Sequence, residues 1–305
     1  MSQEPKTDAG ADENIKQNAK AENKSNLLPQ NAASTCSCGQ KGTSVMDVTT
    51  NGYVYAIGRI EPRFPSLGVE KEYYQAVGRT ETKGATDFES MQRSLSLLEN
   101  RYIARQMCWV LKVEGIETYL LVPRDSADIS ILIDAIRKPP RGTDVDVVIG
   151  IRGPIASPDM CNGLIVPIVI FDQIYSFDVD SLIKSIPKPA KTDSKKFLST
   201  AEELFNRITQ LADNVGSTDE HRAINYLSVR YDAIYANVAE MYERNFSLTS
   251  VEVRPSPLSG TRKIIEVILV YRNRNTDVIE MYSVRVDVTE RHPFLVTKLS
   301  PYIQH

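Results

Sequence analysis

The sequence predicts an α+β fold: mixed, largely antiparallel sheet packed with helices, two of them long, ending in a C-terminal β-hairpin. Three observations carry this prediction. Short runs rich in Val, Ile and Tyr, bounded by turn residues, recur along the chain. Other segments place apolar residues three and four apart. The order of the two kinds of segment never settles into a regular βαβ repeat, and no repeat of solenoid period occurs.

Residues 1–44 are mostly Lys, Glu, Asn, Gln, Ala and Ser with no aromatic, the first being Tyr53. Such a segment buries too little surface to offset chain entropy, so a disordered tail is expected there, followed by a domain over 45–305. Tyr53 to Ile60 is predicted as a strand closed by Glu61-Pro62. Ser66 to Gly78 and Asp87 to Gln106 are predicted as helices, with Asp87 as N-cap of the second. Met107 to Val113 and Ile116 to Val122 form a hairpin about Glu114-Gly115. A short helix, Ser126 to Arg137, ends at Pro139-Pro140. Asp144 to Ile151 and Leu164 to Phe171 are Val/Ile-rich and nearly unbroken, as in strands buried on both faces.

The basic, proline-bearing run near 184–197 is expected either to lie within one body or to join two lobes. Beyond it, helices are predicted over about Thr200 to Val215 and Ser217 to Asn245. The second opens on a capping box, Ser217 with Glu220, and carries an apolar stripe from Leu227 to Tyr242. Leu248 to Val253, Lys263 to Tyr271 and Val278 to Thr289 read as strands, the last two joined by a polar turn. Val284, Val286 and Val288 alternate with Arg285, Asp287 and Thr289, so one sheet face is buried and the other wet.

With 305 residues and net charge −3, the chain has no basic excess, and the expected partners exclude nucleic acid. No apolar run approaches the roughly 20 residues of a spanning helix. The opening Met-Ser-Gln-Glu-Pro-Lys lacks a basic region followed by an apolar one, so no secretory signal and no membrane are expected, and the location expected is cytoplasmic. Disulfides are then a poor default.

The four cysteines are Cys36 and Cys38 at the end of the tail, Cys108 in a strand and Cys161 in a loop. Four thiolates fill the tetrahedral shell of zinc, so one closed structural site, one zinc per chain, accounts for all of them. The one-residue spacing of the first pair is short of the usual two to four, and isolated cysteines also serve as small buried apolar groups. Both readings stand at this level.

Catalytic signals are sparse. No G-x-S-x-G, H-E-x-x-H, P-loop or G-x-G-x-x-G occurs. His221 follows Asp219 and Glu220 at a helix start, but neighbours in a helix do not face one another. Asp144, Asp146, Asp172, Asp178 and Asp180 read as caps and solvated strand edges. Arg59 and Arg63, crowded with prolines at a strand-to-helix turn, could bind a carboxylate or peptide, or form an internal ion-pair network. The C-terminal hairpin offers an edge for an added strand.

The stretches "YVYAIGRIEPRFPSLGVEKEY", "ENRYIARQMCWVLKVEGIETYLL", "DVDVVIGIRGPIASPDMCNGLIVPIVIFDQIYSF", "NVGSTDEHRAINYLSVRY" and "VRVDVTERHPFLVTKLSPY" resemble the C-terminal domain of unknown function of patellamide-type cyanobactin maturation proteases, the PatG/PatA type. The resemblance spans about Tyr53 to Tyr302. It implies a cyanobacterial peptide-maturation context without proteolysis, since neither H-G-T-H nor G-T-S-M of a subtilisin triad is present. It also implies cysteines before the first strand and in two inner segments, matching Cys36, Cys38, Cys108 and Cys161 as zinc ligands. The function expected is a non-catalytic, zinc-stabilised interaction domain that recruits a precursor peptide or a maturation enzyme, with a homodimer compatible. An enzyme with a site near Asp219, His221, Arg59 and Arg63 is the alternative, and a structural remnant of a larger protease is another.

Overall fold

A computed structural model describes residues 52–79, 86–187, 193–211 and 213–302. The tail over 1–44, with Cys36 and Cys38, lies outside the described residues. Elements run β1 (Tyr53–Arg63), α1 (Leu67–Arg79), α2 (Asp87–Ser96), α3 (Arg101–Gln106), β2 (Cys108–Val113), β3 (Ile116–Pro123), α4 (Ile129–Asp134), β4 (Asp144–Ile155) and β5 (Pro167–Asp178). Then come α5 (Val179–Ser185), α6 (Ser194–Thr209), α7 (Asp219–Arg230), α8 (Ala233–Glu243), β6 (Phe246–Pro255), β7 (Ile264–Asn273), β8 (Ile279–Asp287) and β9 (Phe294–Pro301). The fold is α+β, as its sequence predicts, and mostly antiparallel. No described helix is long and apolar enough to cross a membrane.

The first five strands close into a barrel in the order β1-β2-β3-β5-β4, with β3 and β5 the parallel pair. That is the strand order of the five-stranded Greek-key barrel called the OB fold. Inward-facing Val54, Trp109, Leu111, Tyr119, Leu121, Val148, Val169 and Phe171 form its core together with side chains of α1 to α4. The opposite faces of β1 and β4, through Tyr55, Ile57, Val147 and Ile149, join a second core with α5 to α8 and the inner face of the sheet β6-β7-β8-β9. That core draws on residues from both sides of 184–197.

Several elements differ from expectation, β9 among them. The helix predicted over Asp87 to Gln106 is interrupted at Leu97 (φ −66°, ψ 134°), giving α2 and α3, and its N-cap is Thr86, not Asp87. β1 runs through Pro62, which pairs opposite Trp109. Beyond Gly58 it no longer has β4 as a neighbour, so a missing amide there breaks no ladder. The long helix predicted from Ser217 to Asn245 is broken at Tyr231 (φ −129°, ψ 89°), whose hydroxyl accepts the Leu299 amide at 3.0 Å. Its N-cap is Thr218, not Ser217, accepting from the His221 amide at 3.1 Å.

Candidate functional site

A cleft of about 810 Å³ lies between the barrel and α6. Its origin is a parting of strands. β1 pairs with β4 up to Gly58 opposite Asp146, then with β2 from Arg59 opposite Lys112. A Cβ on Gly58 would stand 2.3 Å from the Lys112 carbonyl oxygen, so β1 passes there only as glycine. The Ile60 amide, left without a β4 partner, donates to Asp146 Oδ2 at 2.7 Å. The other Asp146 oxygen accepts from Ser176 Oγ at 2.5 Å. Asp146 is 1% exposed, and burial raises its pKa above the ordinary aspartate range against the pull of these hydrogen bonds and Arg137.

Charge in the cleft is unbalanced. Arg59 and Lys112 face five carboxylates, those of Glu61, Glu114, Asp144, Asp180 and Glu202. Arg59 Nη2 donates to the Gly142 carbonyl at 2.7 Å, and Lys112 Nζ meets Glu61 at 2.5 Å. The buried Asp144 accepts the Arg141 amide at 2.6 Å. Glu114, Asp180 and Glu202 are exposed and enter no ion pair among the described residues. A pocket of this size, walled by strands and a helix with free carboxylates at its rim, suits an ammonium or guanidinium group on an extended chain.

Of the residues singled out from the sequence, Arg59 lines this cleft and Arg63 does not. Arg63 Nη1 is engaged by Glu117 at 2.7 Å, tying the end of β1 to β3. Asp219 bonds Arg222 and Lys263 at the start of α7, away from the cleft lining. His221 beside it is half-buried, its Nδ1 has no hydrogen-bond partner among the described residues, and burial lowers its pKa. Nothing in the cleft lining brings Asp219 or His221 to Arg59.

Cys108 and Cys161, 53 residues apart, are joined as a disulfide with Cα atoms 5.9 Å apart. The expectation of free thiols is corrected here for this pair: β2 and the β4–β5 loop bring the two sulfurs into bonding contact, buried among Val110, Leu120 and Ala156. Cys36 and Cys38 lie outside the described residues. Among the described residues, no group of three or more His, Cys, Asp or Glu is placed to hold a metal ion.

Sequence reasoning missed the acidic rim and the role of Asp146. One signal was available: an isolated glycine inside a strand, as at Gly58, marks a close backbone approach.

Comparison with known families matches residues 53–246 to a model described as PatG Domain and residues 191–302 to one described as PatG C-terminal. A solved structure titled "PatG Domain of Unknown Function" shares the fold, with TM-score 0.67 and 19% identity over 82% of this chain and 98% of that one. No curated protein matches.

Proposed function

Because this chain belongs to the PatG domain family, we propose that it is a non-catalytic interaction domain in cytoplasmic maturation of cyanobactin-type peptides, recruiting a precursor peptide through the cleft beside α6. The observation that carries this reading is the rim of unpaired carboxylates, Glu114, Asp180 and Glu202, around a cleft of about 810 Å³. Such a rim attracts a cationic stretch of peptide at long range and holds its side chain once inside. Short synthetic peptides, matched except for Lys or Gln at central positions, test it by calorimetry. The Lys peptide is expected to bind, and Glu114→Gln with Glu202→Gln to weaken it about 10-fold, with the loss shrinking as salt is raised. Equal binding of both peptides, or indifference to the two substitutions, removes the cleft from the function.

A structural zinc shared by Cys36, Cys38, Cys108 and Cys161 is the second part of the reading. It is supported by the buried meeting of two of the four sulfurs. A disulfide has no thiolate to give, so ligation needs that pair reduced. Bound zinc would supply folding energy and no open coordination position. Chain purified under reducing conditions is expected to hold about one zinc by emission spectrometry and to lose it on Cys36→Ser with Cys38→Ser. Metal-free protein whose melting ignores chelator rules the site out.

A further inference from the structure

Strands β2, β3 and β5 have an outward face as well as a core face. Val110, Leu120 and Ile168 lie side by side on it, in one row of the strand register. In five-stranded barrels of this order, the β2–β3 face and its flanking loops are where ligands lie. Here the β4–β5 loop occupies that ground. Ala156 and Cys161 are buried on it, with Leu164 and Val166 packed beside them. The loop is closed on itself, since the Ala156 amide donates to the Val166 carbonyl at 2.8 Å and the Gly163 amide to that of Pro158 at 2.8 Å. Its outer side leaves Ile155, Met160 and Ile165 in water, at 64%, 44% and 62% exposure. The disulfide from Cys161 to Cys108 at the start of β2 fastens the loop to the face.

The covered cluster holds no aromatic ring and so offers no stacking platform; charge is confined to its β1 edge, where Arg63 and Glu61 stand opposite Cys108 and Val110. Its chemistry fits what covers it now, a short apolar run of peptide such as Leu164-Ile165-Val166. We propose that the outer β2–β3–β5 face is a binding site for a short apolar peptide segment, held shut by residues 156–166 of the same chain, with the Cys108–Cys161 bond as its latch. A dithiol reductant opens the latch in a balanced exchange. Its thiolate attacks one sulfur, the S–S bond breaks and a mixed disulfide forms. Its second thiol then resolves that intermediate, leaving two thiols on the chain and a cyclic disulfide on the reductant. This inference stands apart from the rim of Glu114, Asp180 and Glu202, none of which lies in this cluster; of the cleft's carboxylates Glu61 pairs opposite Val110 at its edge.

The test uses the full chain and a labelled peptide copying residues 156–166 with serine in place of the cysteine. On adding a dithiol to chain kept free of metal, so that zinc cannot bridge the reduced pair, amide exchange over 157–165 is expected to quicken at least 10-fold, and the peptide, unbound before, to bind. Cys161→Ser is expected to behave so without reductant, and Leu120→Lys on that background to abolish binding. If the serine variant does not fold, the reductant titration of unaltered protein decides alone. Loop protection that ignores reductant, or equal peptide binding to both forms, overturns the proposal. Opening by chelator but not by dithiol overturns the disulfide latch in favour of a metal.

Discussion

Asp146 occupies a strand position on the same barrel face as Val148, where an apolar side chain is the rule. Its place there follows from β1 changing partners beside it, which leaves the Ile60 amide in need of an acceptor. Truncation to alanine leaves that amide unpaired in the interior, while the exposed Ser176 hydroxyl turns to water, so Asp146→Ala is expected to cost about 2–3 kcal/mol in urea denaturation. Asp146→Asn keeps an acceptor and should cost far less. The pH dependence fixes the cause. A carboxyl whose folded pKa is raised by burial stabilises fully below its unfolded pKa and loses that contribution as pH rises through the folded one. Relative to the unaltered chain, the Asn variant should therefore gain stability from the ordinary aspartate range upward, measured as a rising difference in urea midpoint. A difference that is flat with pH would mean the carboxyl is not desolvated. None of this was legible locally. Asp144 and Asp146 alternate with valine as a wet strand edge does, and the amide that buries Asp146 lies 86 residues earlier in the chain.

At the scale of elements, the sequence carried type better than extent. The nearly unbroken Val/Ile runs predicted over Asp144 to Ile151 and Leu164 to Phe171 fall in β4 and β5, and the β2–β3 hairpin turns at Glu114-Gly115 as predicted, but β5 starts only at Pro167 and runs on to Asp178. Ends were set by distant partners. β1 continues past Pro62 because β4 has already left it, and the helix after Ser217 stops at Tyr231 although no Gly or Pro interrupts it. The strand β9 went unread, since none of its residues is buried, apolar Phe294 and Val296 lie on its exposed side, away from Leu295 and Leu299, and its register with β8 shifts twice. Tyr231 links the last two cases: its hydroxyl accepts from Leu299 in β9. Tyr231→Phe should cost about 1 kcal/mol and speed amide exchange at Leu299 more than elsewhere in the sheet. Unchanged exchange at Leu299 would show that the break in the helix has another cause.

Across the whole molecule, α7 is the member that ties the barrel to the C-terminal sheet. Asn225 Nδ2 donates to the Tyr55 carbonyl at 2.9 Å, and the turn before the helix accepts the Tyr55 amide through Gly216 at 2.9 Å. One turn earlier, Arg222 is 2% exposed. Its guanidinium lies over the Tyr53 ring, meets Asp219 at 3.2 Å, and donates to the carbonyls of Val288, Glu290 and Arg291 in the β8–β9 connection. Arg291 in turn reaches back to Asp172 of β5 at 2.7 Å, beside Arg124 at 2.6 Å. A guanidinium is the one side chain that can satisfy three carbonyls and a carboxylate from a single buried position. Arg222→Ala leaves those acceptors without donors and Asp219 without its buried partner, so it should cost about 3–5 kcal/mol. Arg222→Lys should recover only part, because one ammonium cannot span the same acceptors. The distinguishing outcome is cooperativity. With one core running from β1 through α7 to β8, the unaltered chain should unfold in a single transition by far- and near-ultraviolet dichroism, and Arg222→Ala should shift that transition or split it. Two transitions in the unaltered chain would mean that the barrel and the sheet fold as separate lobes and that α7 joins them only loosely.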